Sequence, residues 1–537
     1  MFRPPLRYLL PAASGLLLVA AFPPWNQAWL IWVALIPALL GLLLEPVSKD
    51  WKRDLAPGYL MGLLYFGGTL WWIGYVTFAG TALLILYIAL YPAFWFLMAR
   101  RLWPMEPPYT SIGNLRLGAE LASWWVACEW LRGTLFSGFG WDGLGVALWR
   151  NLPLLQGARL GGVLFLTWLI VFVNVIGALT LVRFRHEIAR TQKMRPHFDF
   201  GIALFAVALL FAWGVRQIWP DRAGTEAPRT LRFALVQPNI PQSETNPFPG
   251  GESLRRHLEL TETAALANPQ LVIWPEAPVA VAALVDPGYA NALSALTARA
   301  DYSLLMGSLD FVKGHYFNAA FLFPPRQGDL QVYAKNRLVP FGEYAPFADT
   351  IPLMRKLVPF DIDFTPGIAP RVLTMENKDG SGGIKLAPMI CYEDTLGFYG
   401  RRVARLNPDV LVNITNDGWF KTSPGAAQHL ANALFRAVEL DRPLLRCGNS
   451  GVTAAIDQSG RIVSLLTVEG RSIGVTGFLV GGIAWYPAKT TPYLLYGDWI
   501  LILPALALAR YGVLWILRRK RVSSVERSPE TPKPGSI

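Results

Sequence analysis

KLAPMICYED, residues 385–394, is the stretch on which the fold turns. Its apolar run Leu386–Ile390 has the length and make-up of a buried strand, and a helical pattern starts near Asp394. Between them stands Cys391. A cysteine on a sharp strand-to-helix turn, where backbone N–H groups favour a thiolate, is placed as a nucleophile would be. The plainer readings are a buried structural cysteine or a disulfide with Cys447. Cys447 closes the apolar run Leu444–Cys447 and reads as a small core residue; Cys128 lies in a long apolar stretch and reads as inert.

Outward from this stretch, 221–490 alternates apolar runs with helical patterns. Strands are expected at 231–237, 270–275, 303–308, 317–323, 330–335, 385–391, 409–415, 443–448 and 452–457. Helices are expected at 252–267, 287–300, 394–405 and 424–440, so the pattern is one of sheets covered by helices. Two more strand ends carry reactive side chains. Trp274-Pro275-Glu276 stops an apolar run at a carboxylate, which in apolar surroundings can act as a general base. Tyr333-Ala334-Lys335 ends another run at a lysine that can donate to an oxyanion. The plain alternatives are a turn carboxylate and a solvated lysine. No glycine-rich phosphate loop follows a strand, and no two of the five histidines have metal-ligand spacing, so neither cofactor nor metal is expected.

The flanks differ in kind. Of the 37 acidic residues, 9 precede Asp221 and 25 lie within 221–490, so a membrane block precedes a water-soluble block. The whole chain is 53% hydrophobic, 16% charged and has a mean hydropathy of +0.33, which excludes a disordered chain and a purely soluble enzyme. Apolar stretches near 7–24, 27–45, 58–78, 81–99, 117–136, 160–182, 199–218 and 498–517 suggest about eight transmembrane helices. The first resembles a signal peptide but lacks a good cleavage site and reads as retained. A net charge of +12 first suggests nucleic acid. Basic loops explain it better: Lys49, Lys52 and Arg53, then Arg100, Arg101 and Arg116, then five Lys and Arg within 183–195, alternate with loops nearly free of them. That places both termini in the cytoplasm and 221–490 outside, with no nucleic-acid partner. The expected domains are a seven-helix membrane domain at 1–220, a catalytic domain at 221–490, a C-terminal transmembrane helix at 491–520 and a disordered cytoplasmic tail at 521–537. Glu129 and Arg132 can pair on one helix face, as a packing ion pair near the helix end or with a direct role toward substrate.

WPEA (274–277), YAKNRLVPFGEY (333–344) and ICYED (390–394), in that order, resemble the carbon–nitrogen hydrolase (nitrilase) superfamily with its Glu-Lys-Cys set, and NITNDGWF (413–420) fits as well. With the membrane block, the chain resembles the membrane-bound branch of that superfamily, the apolipoprotein N-acyltransferases, over nearly its full length. EWLRG (129–133), GFGW (138–141) and VQPNIPQ (236–242) carry that part of the likeness. Gly140 stands where those proteins usually have proline, and Asn246 lies near the place of a usual tryptophan.

The resemblance implies an αββα sandwich inserted in a polytopic helical membrane protein. It implies Cys391 as nucleophile, Glu276 as base and Lys335 as oxyanion donor, with Glu343, Tyr392, Glu393, Asn416 and Trp419 in support. It further implies that a phospholipid acyl chain is held as a thioester, then passed to the N-terminal amine of a diacylglyceryl-cysteine apolipoprotein. The setting would be a bacterial inner membrane with the catalytic domain in the periplasm. The segment 351–367 has the composition of a membrane-facing lid. Two other classes are a membrane-anchored amidase for a small amide, against which the many spans count, and a non-catalytic transporter or receptor, against which the intact Glu-Lys-Cys set counts.

Overall fold

The computed structural model describes residues 4–525 apart from 45–46, 49, 104–109, 192–195, 219–226, 242–249, 277–283, 326–328, 347, 352–354, 356–362 and 377–382. Twelve strands form two sheets of six. They are β1 (Arg229–Gln237), β2 (Leu271–Ile273), β3 (Ser303–Val312), β4 (His315–Phe323), β5 (Gln331–Ala334), β6 (Leu373–Glu376), β7 (Gly383–Ile390), β8 (Val410–Thr415), β9 (Leu444–Gly448), β10 (Ala454–Ile456), β11 (Ile462–Leu465) and β12 (Gly477–Trp485). The first sheet runs β12-β1-β2-β3-β4-β5 and the second β11-β10-β9-β8-β7-β6. Each has a parallel centre, β1-β2-β3 and β7-β8-β9, flanked by antiparallel strands. Parallel centres are buried on both faces, and every residue of β8 and β9 is buried, the polar Asn413 and Arg446 included.

β6, β11 and β12 have no counterpart in the expected strands, and all three are sheet edges. An edge strand is half solvated, so its apolar signal is thin: β11 alternates half-buried and exposed residues, and β12 carries Gly481 and Gly482.

The sheets pack face to face. Phe233, Leu235 and Ile273 of the first meet Ile390, Val412 and Ile414 of the second in one core. Helices Gly250–Ala265 and Pro287–Arg299 cover the outer face of the first sheet. Helices Gly397–Ala404 and Gly425–Leu440 cover the second, where the core continues without a break into the membrane block: Met389, Leu434 and Val438 belong to the same cluster as Leu121, Leu144 and Leu166. The αββα sandwich is therefore present, with one outer layer fused to the membrane helices.

Each expected apolar stretch is helical over part of its length in the described residues. Three helices are long and apolar enough to cross a membrane by themselves: Phe78–Leu102, Ala158–Ala189 and Phe198–Ile218. Leu6–Ala21, Ala28–Gly41 and Trp499–Val513 are shorter, and Trp51–Leu70 and Ser111–Arg132 carry charged residues. The stretch at 27–45 is not one continuous helix. A 3-10 turn, Ala28–Trp32, and a short helix, Ile36–Gly41, are parted where Asn174 takes over the backbone ladder, accepting from Leu35 N at 2.8 Å and donating to Ile31 O at 2.9 Å.

Glu129 and Arg132 do not pair with each other. Glu129 accepts from Trp125, Thr167 and the Leu144 backbone, while Arg132 donates to Phe139 O and Trp141 O at 3.0 and 2.5 Å. Both therefore hold the loop that follows their helix. Arg510 of the terminal helix Ile502–Val525 pairs with Glu120 and docks that helix on the block. The helix takes in 521–525, the start of the expected disordered tail, and 526–537 lie outside the described residues.

Candidate active site

β7 ends at Ile390, and Cys391 turns the chain with φ +50, in the left-handed region that non-glycine residues enter only at a cost. Several bonds hold it there. Glu393 Oε2 accepts from Ile390 N at 2.8 Å, and Asn413 Nδ2 donates to Met389 O and Cys391 O at 3.1 and 3.2 Å. A 3-10 turn, Cys391–Thr395, follows before helix Gly397–Ala404 begins. The helix thus starts a few residues later than expected. Burial and the Glu276 charge push the Cys391 thiol well above its ordinary range, and Lys335 only partly offsets them. The resting group is a thiol rather than the expected helix-stabilised thiolate, so its deprotonation needs a base.

The residues expected as base and oxyanion donor lie on the first sheet. Glu276 follows β2, Lys335 follows β5, and both are buried. Lys335 Nζ donates to Glu343 Oε1 at 2.8 Å and approaches Glu276 Oε1 at 3.3 Å. Asn318, from β4, donates through Nδ2 to the same two oxygens at 2.9 and 2.7 Å. Asn416 N donates to Glu276 Oε2 at 2.8 Å, and Val339 N to Glu343 Oε2 at 2.8 Å. Glu276 is therefore not a carboxylate in apolar surroundings, as its sequence context suggests; it is a fully partnered one. Burial works against the Lys335 charge, but Glu343 and then Glu276 outweigh it and hold the ammonium above the usual lysine range. Two carboxylates share one cation. Glu343 is the nearer of the two.

The other supporting residues divide. Glu393 touches neither amine nor thiol in the expected manner. It accepts from Tyr333 OH, Asn336 N, Arg337 N and Ile390 N at 2.7–3.0 Å, tying the end of β5 to the end of β7. Burial lifts its carboxyl to about 7 despite these donors. Tyr392 OH donates to Gly138 O at 2.8 Å, a contact with the membrane block. Asn416 serves through its backbone N–H, while its side chain accepts from Gly418 N and Asn449 Nδ2. Trp419 is half-buried on the 3-10 turn Asp417–Phe420. Most of the expected lid, 351–367, lies outside the described residues. Its end is stitched to the site, with Phe364 N donating to Glu343 O and Gly367 N to Lys335 O at 2.9 and 2.7 Å.

Beneath the Cys391 turn lies a buried group of four charges whose roles the sequence reading missed. His429 Nδ1 faces Asp417 Oδ1 at 2.8 Å, and Nε2 faces Asp394 Oδ1 at 2.9 Å and Cys391 O at 3.3 Å. Arg446 donates to Asp394, Asp417 and Asn413 at 2.7–2.9 Å. Since all three partners of the ring are acceptors, both nitrogens must donate and His429 is an imidazolium. Burial and Arg446 oppose its charge, but the two aspartates outweigh them and raise it to about 9. Asp417 is correspondingly held at about 2, His429 and Arg446 overcoming the effect of burial. The available signal was the recurrence of Gln428, His429, Asn432, Arg436 and Glu439 at helical spacing in an otherwise apolar helix. Cys447 donates to Val236 O and Ile273 O between the sheets, and all three cysteines are free.

Residues 14–176 match the model of the apolipoprotein N-acyltransferase N-terminal domain, and 232–476 match that of carbon-nitrogen hydrolases. The chain is 33% identical to an apolipoprotein N-acyltransferase of Geobacter metallireducens over 85% of this chain and 86% of that one. It is 29% identical to one of Photobacterium profundum over 96% of each. Among solved structures, an amidase from Nesterenkonia sp. is 17% identical, covering 50% of this chain and 93% of that one with a TM-score of 0.34.

Proposed function

The chain belongs to the apolipoprotein N-acyltransferase family, and we propose that Cys391, Glu276 and Lys335 carry its reaction. In the first half, Glu276 takes the Cys391 proton and the sulfur attacks the carbonyl carbon of a phospholipid acyl ester. Negative charge gathers on the carbonyl oxygen, where the Lys335 ammonium stabilises it. Collapse breaks the ester C–O bond, and Glu276 returns the proton to the departing lysophospholipid oxygen. In the second half, Glu276 deprotonates the N-terminal ammonium of the diacylglyceryl-cysteine acceptor. The amine attacks the thioester carbonyl, and the C–S bond breaks as the amide forms. The second proton shed by the nitrogen goes to the departing sulfur to restore the thiol, and Glu276 releases the first to solvent.

Lys335 between Glu276 and Glu343 supports this reading most directly, because one site then holds a cation and, besides its nearer counterion Glu343, a second carboxylate, Glu276. The reading places 221–490 in the periplasm between seven spans and an eighth, in a bacterial inner membrane. The alternation of basic loops supports that orientation. Acceptance of lipid from the bilayer is favoured by the fused core, which sets the second sheet directly on the membrane block.

The test is intact mass measurement of detergent-purified protein mixed with phospholipid. An acyl adduct mapped to Cys391, discharged on adding a diacylglyceryl peptide, is expected. An adduct that persists in Cys391→Ser would remove the assignment. Discharge by water alone at the same rate would point to a hydrolase.

A further inference from the structure

Neighbouring residues on helix Gly425–Leu440 face two different parts of the molecule. Gln428, fully buried, faces the membrane block. Its Oε1 accepts from Trp72 Nε1 at 2.9 Å and Trp141 Nε1 at 3.1 Å. Its Nε2 donates to Thr69 O at 3.0 Å and Pro23 O at 3.3 Å. Both acceptor sites and both donors of the amide are used, and since indoles only donate and carbonyls only accept, its orientation is unambiguous. One side chain thus joins three separate segments of the membrane block. His429, the next residue, faces the catalytic turn through Cys391 O, Asp394 and Asp417. Trp141 touches both: its ring lies 5.2 Å from that of His429 while its N–H is held by Gln428.

The same loop makes a second contact with the turn through Gly138 O and Tyr392 OH, and Arg132 braces it from below. An apolar residue of similar size would leave two indole N–H groups and two carbonyls of the membrane block without a partner. A fully partnered amide adds what apolar packing lacks, a single register between the two blocks.

We propose that Gln428 and His429 are positioning residues that fix the membrane block relative to Cys391, so that an acyl ester arriving from the bilayer meets the sulfur at attack distance. Gln428 sets the docking of the membrane block, and His429 sets the shape of the turn. The proposal rests on Cys391 being the nucleophile.

Two reactions of the full-length protein in detergent separate these roles. Single-turnover acylation by phospholipid needs the membrane block and the turn in register. Alkylation of Cys391 by iodoacetamide, a small water-soluble reagent, needs only the turn. Gln428→Leu should lower the maximal acylation rate by about tenfold or more. The phospholipid concentration giving half that rate and the alkylation rate should stay near wild type. The melting temperature should fall, because four buried partners lose their hydrogen bond. His429→Gln should change the pH profile of alkylation as well. Wild-type acylation by folded Gln428→Leu would overturn the proposal, as would equal losses in acylation and alkylation. If Gln428→Leu does not fold, the double variant Trp72→Phe/Trp141→Phe, which removes the two indole donors and keeps the rings, must give the same split. Wild-type acylation by that variant overturns the proposal equally. Cys391→Ser run alongside tests the nucleophile separately: an adduct surviving there removes that assignment, whatever the Gln428 variants do.

Discussion

The helix layers on the two sides of the sandwich have opposite surroundings. Over the first sheet, helix Gly250–Ala265 turns one face to solvent, where Arg255 pairs with Glu252 and Glu259 on the exposed surface. Over the second, helix Gly425–Leu440 has 15 of its 16 residues buried, with the second sheet on one side and membrane helices on the other. The site is divided along the same line. The water-facing half supplies Glu276 and Lys335, and the membrane-fused half supplies Cys391. The proposed base and oxyanion donor therefore sit on the sheet whose outer helices face solvent, while the proposed nucleophile is held on the sheet whose core continues into the membrane block.

The sharpest break of this division is at Cys391. Cys391→Ser should lower acyl-enzyme formation by about 10³-fold or more, since the hydroxyl is a far weaker nucleophile at neutral pH. Cys447→Ala and Cys128→Ala together should retain turnover. Comparable loss in that pair would move the nucleophile elsewhere.

On the water-facing half, Lys335→Met should slow acylation by about 10²–10³-fold, the usual effect of removing one oxyanion donor. Glu276→Gln keeps its shape and loses the base, so single-turnover thioester formation should nearly stop. A folded variant of either residue that acylates at the wild-type rate would remove its role.

The helix layers themselves can be compared by stability. Leu434→Ala opens a cavity in the fused core and should cost about 2–5 kcal/mol, read as a lowered melting temperature in detergent. Arg255→Ala on the solvent side should leave the melting temperature unchanged, because exposed pairs contribute little. Equal effects from the two would contradict the asymmetry.

A smaller effect is expected with pH. His429 is raised from 6.5 to about 9 in the folded chain. A folded value above the unfolded one gives stabilisation that is complete below the unfolded value and fades as pH rises through about 9. The wild-type melting temperature should carry that decline between about pH 6.5 and 9, and His429→Gln, with no proton to lose there, should not. The decline persisting unchanged in the variant would assign it to another group.

Much of the site was legible because its residues stand where apolar runs stop. Lys335 and Cys391 directly follow β5 and β7, Glu276 comes three residues after β2, and a break in an apolar run is a local feature of sequence. The edge strands β6, β11 and β12 were not legible, because a half-solvated strand has no continuous run. Nor was the setting of Glu276. Its neighbours in sequence are apolar, but its partners Asn318, Lys335 and Asn416 come from other strand ends.

While the sandwich and the single site came from the resemblance, composition and periodicity by themselves indicated a membrane block followed by sheets covered by helices and marked three strand ends with reactive side chains. They did so because apolar period and abrupt polar stops report how deeply each element is buried. What each element is buried against is a different quantity, set by contacts between residues far apart in the chain. Tertiary structure alone decided that Glu343 rather than Glu393 holds Lys335, that Glu129 and Arg132 brace a loop instead of pairing, and that His429 is a cation under Cys391. It also decided that Gln428 looks toward the membrane block while its neighbour looks toward the backbone of the Cys391 turn. A buried polar group must find its hydrogen-bond partners wherever packing brings them, and packing joins Gln428 to Pro23 across 405 residues of chain.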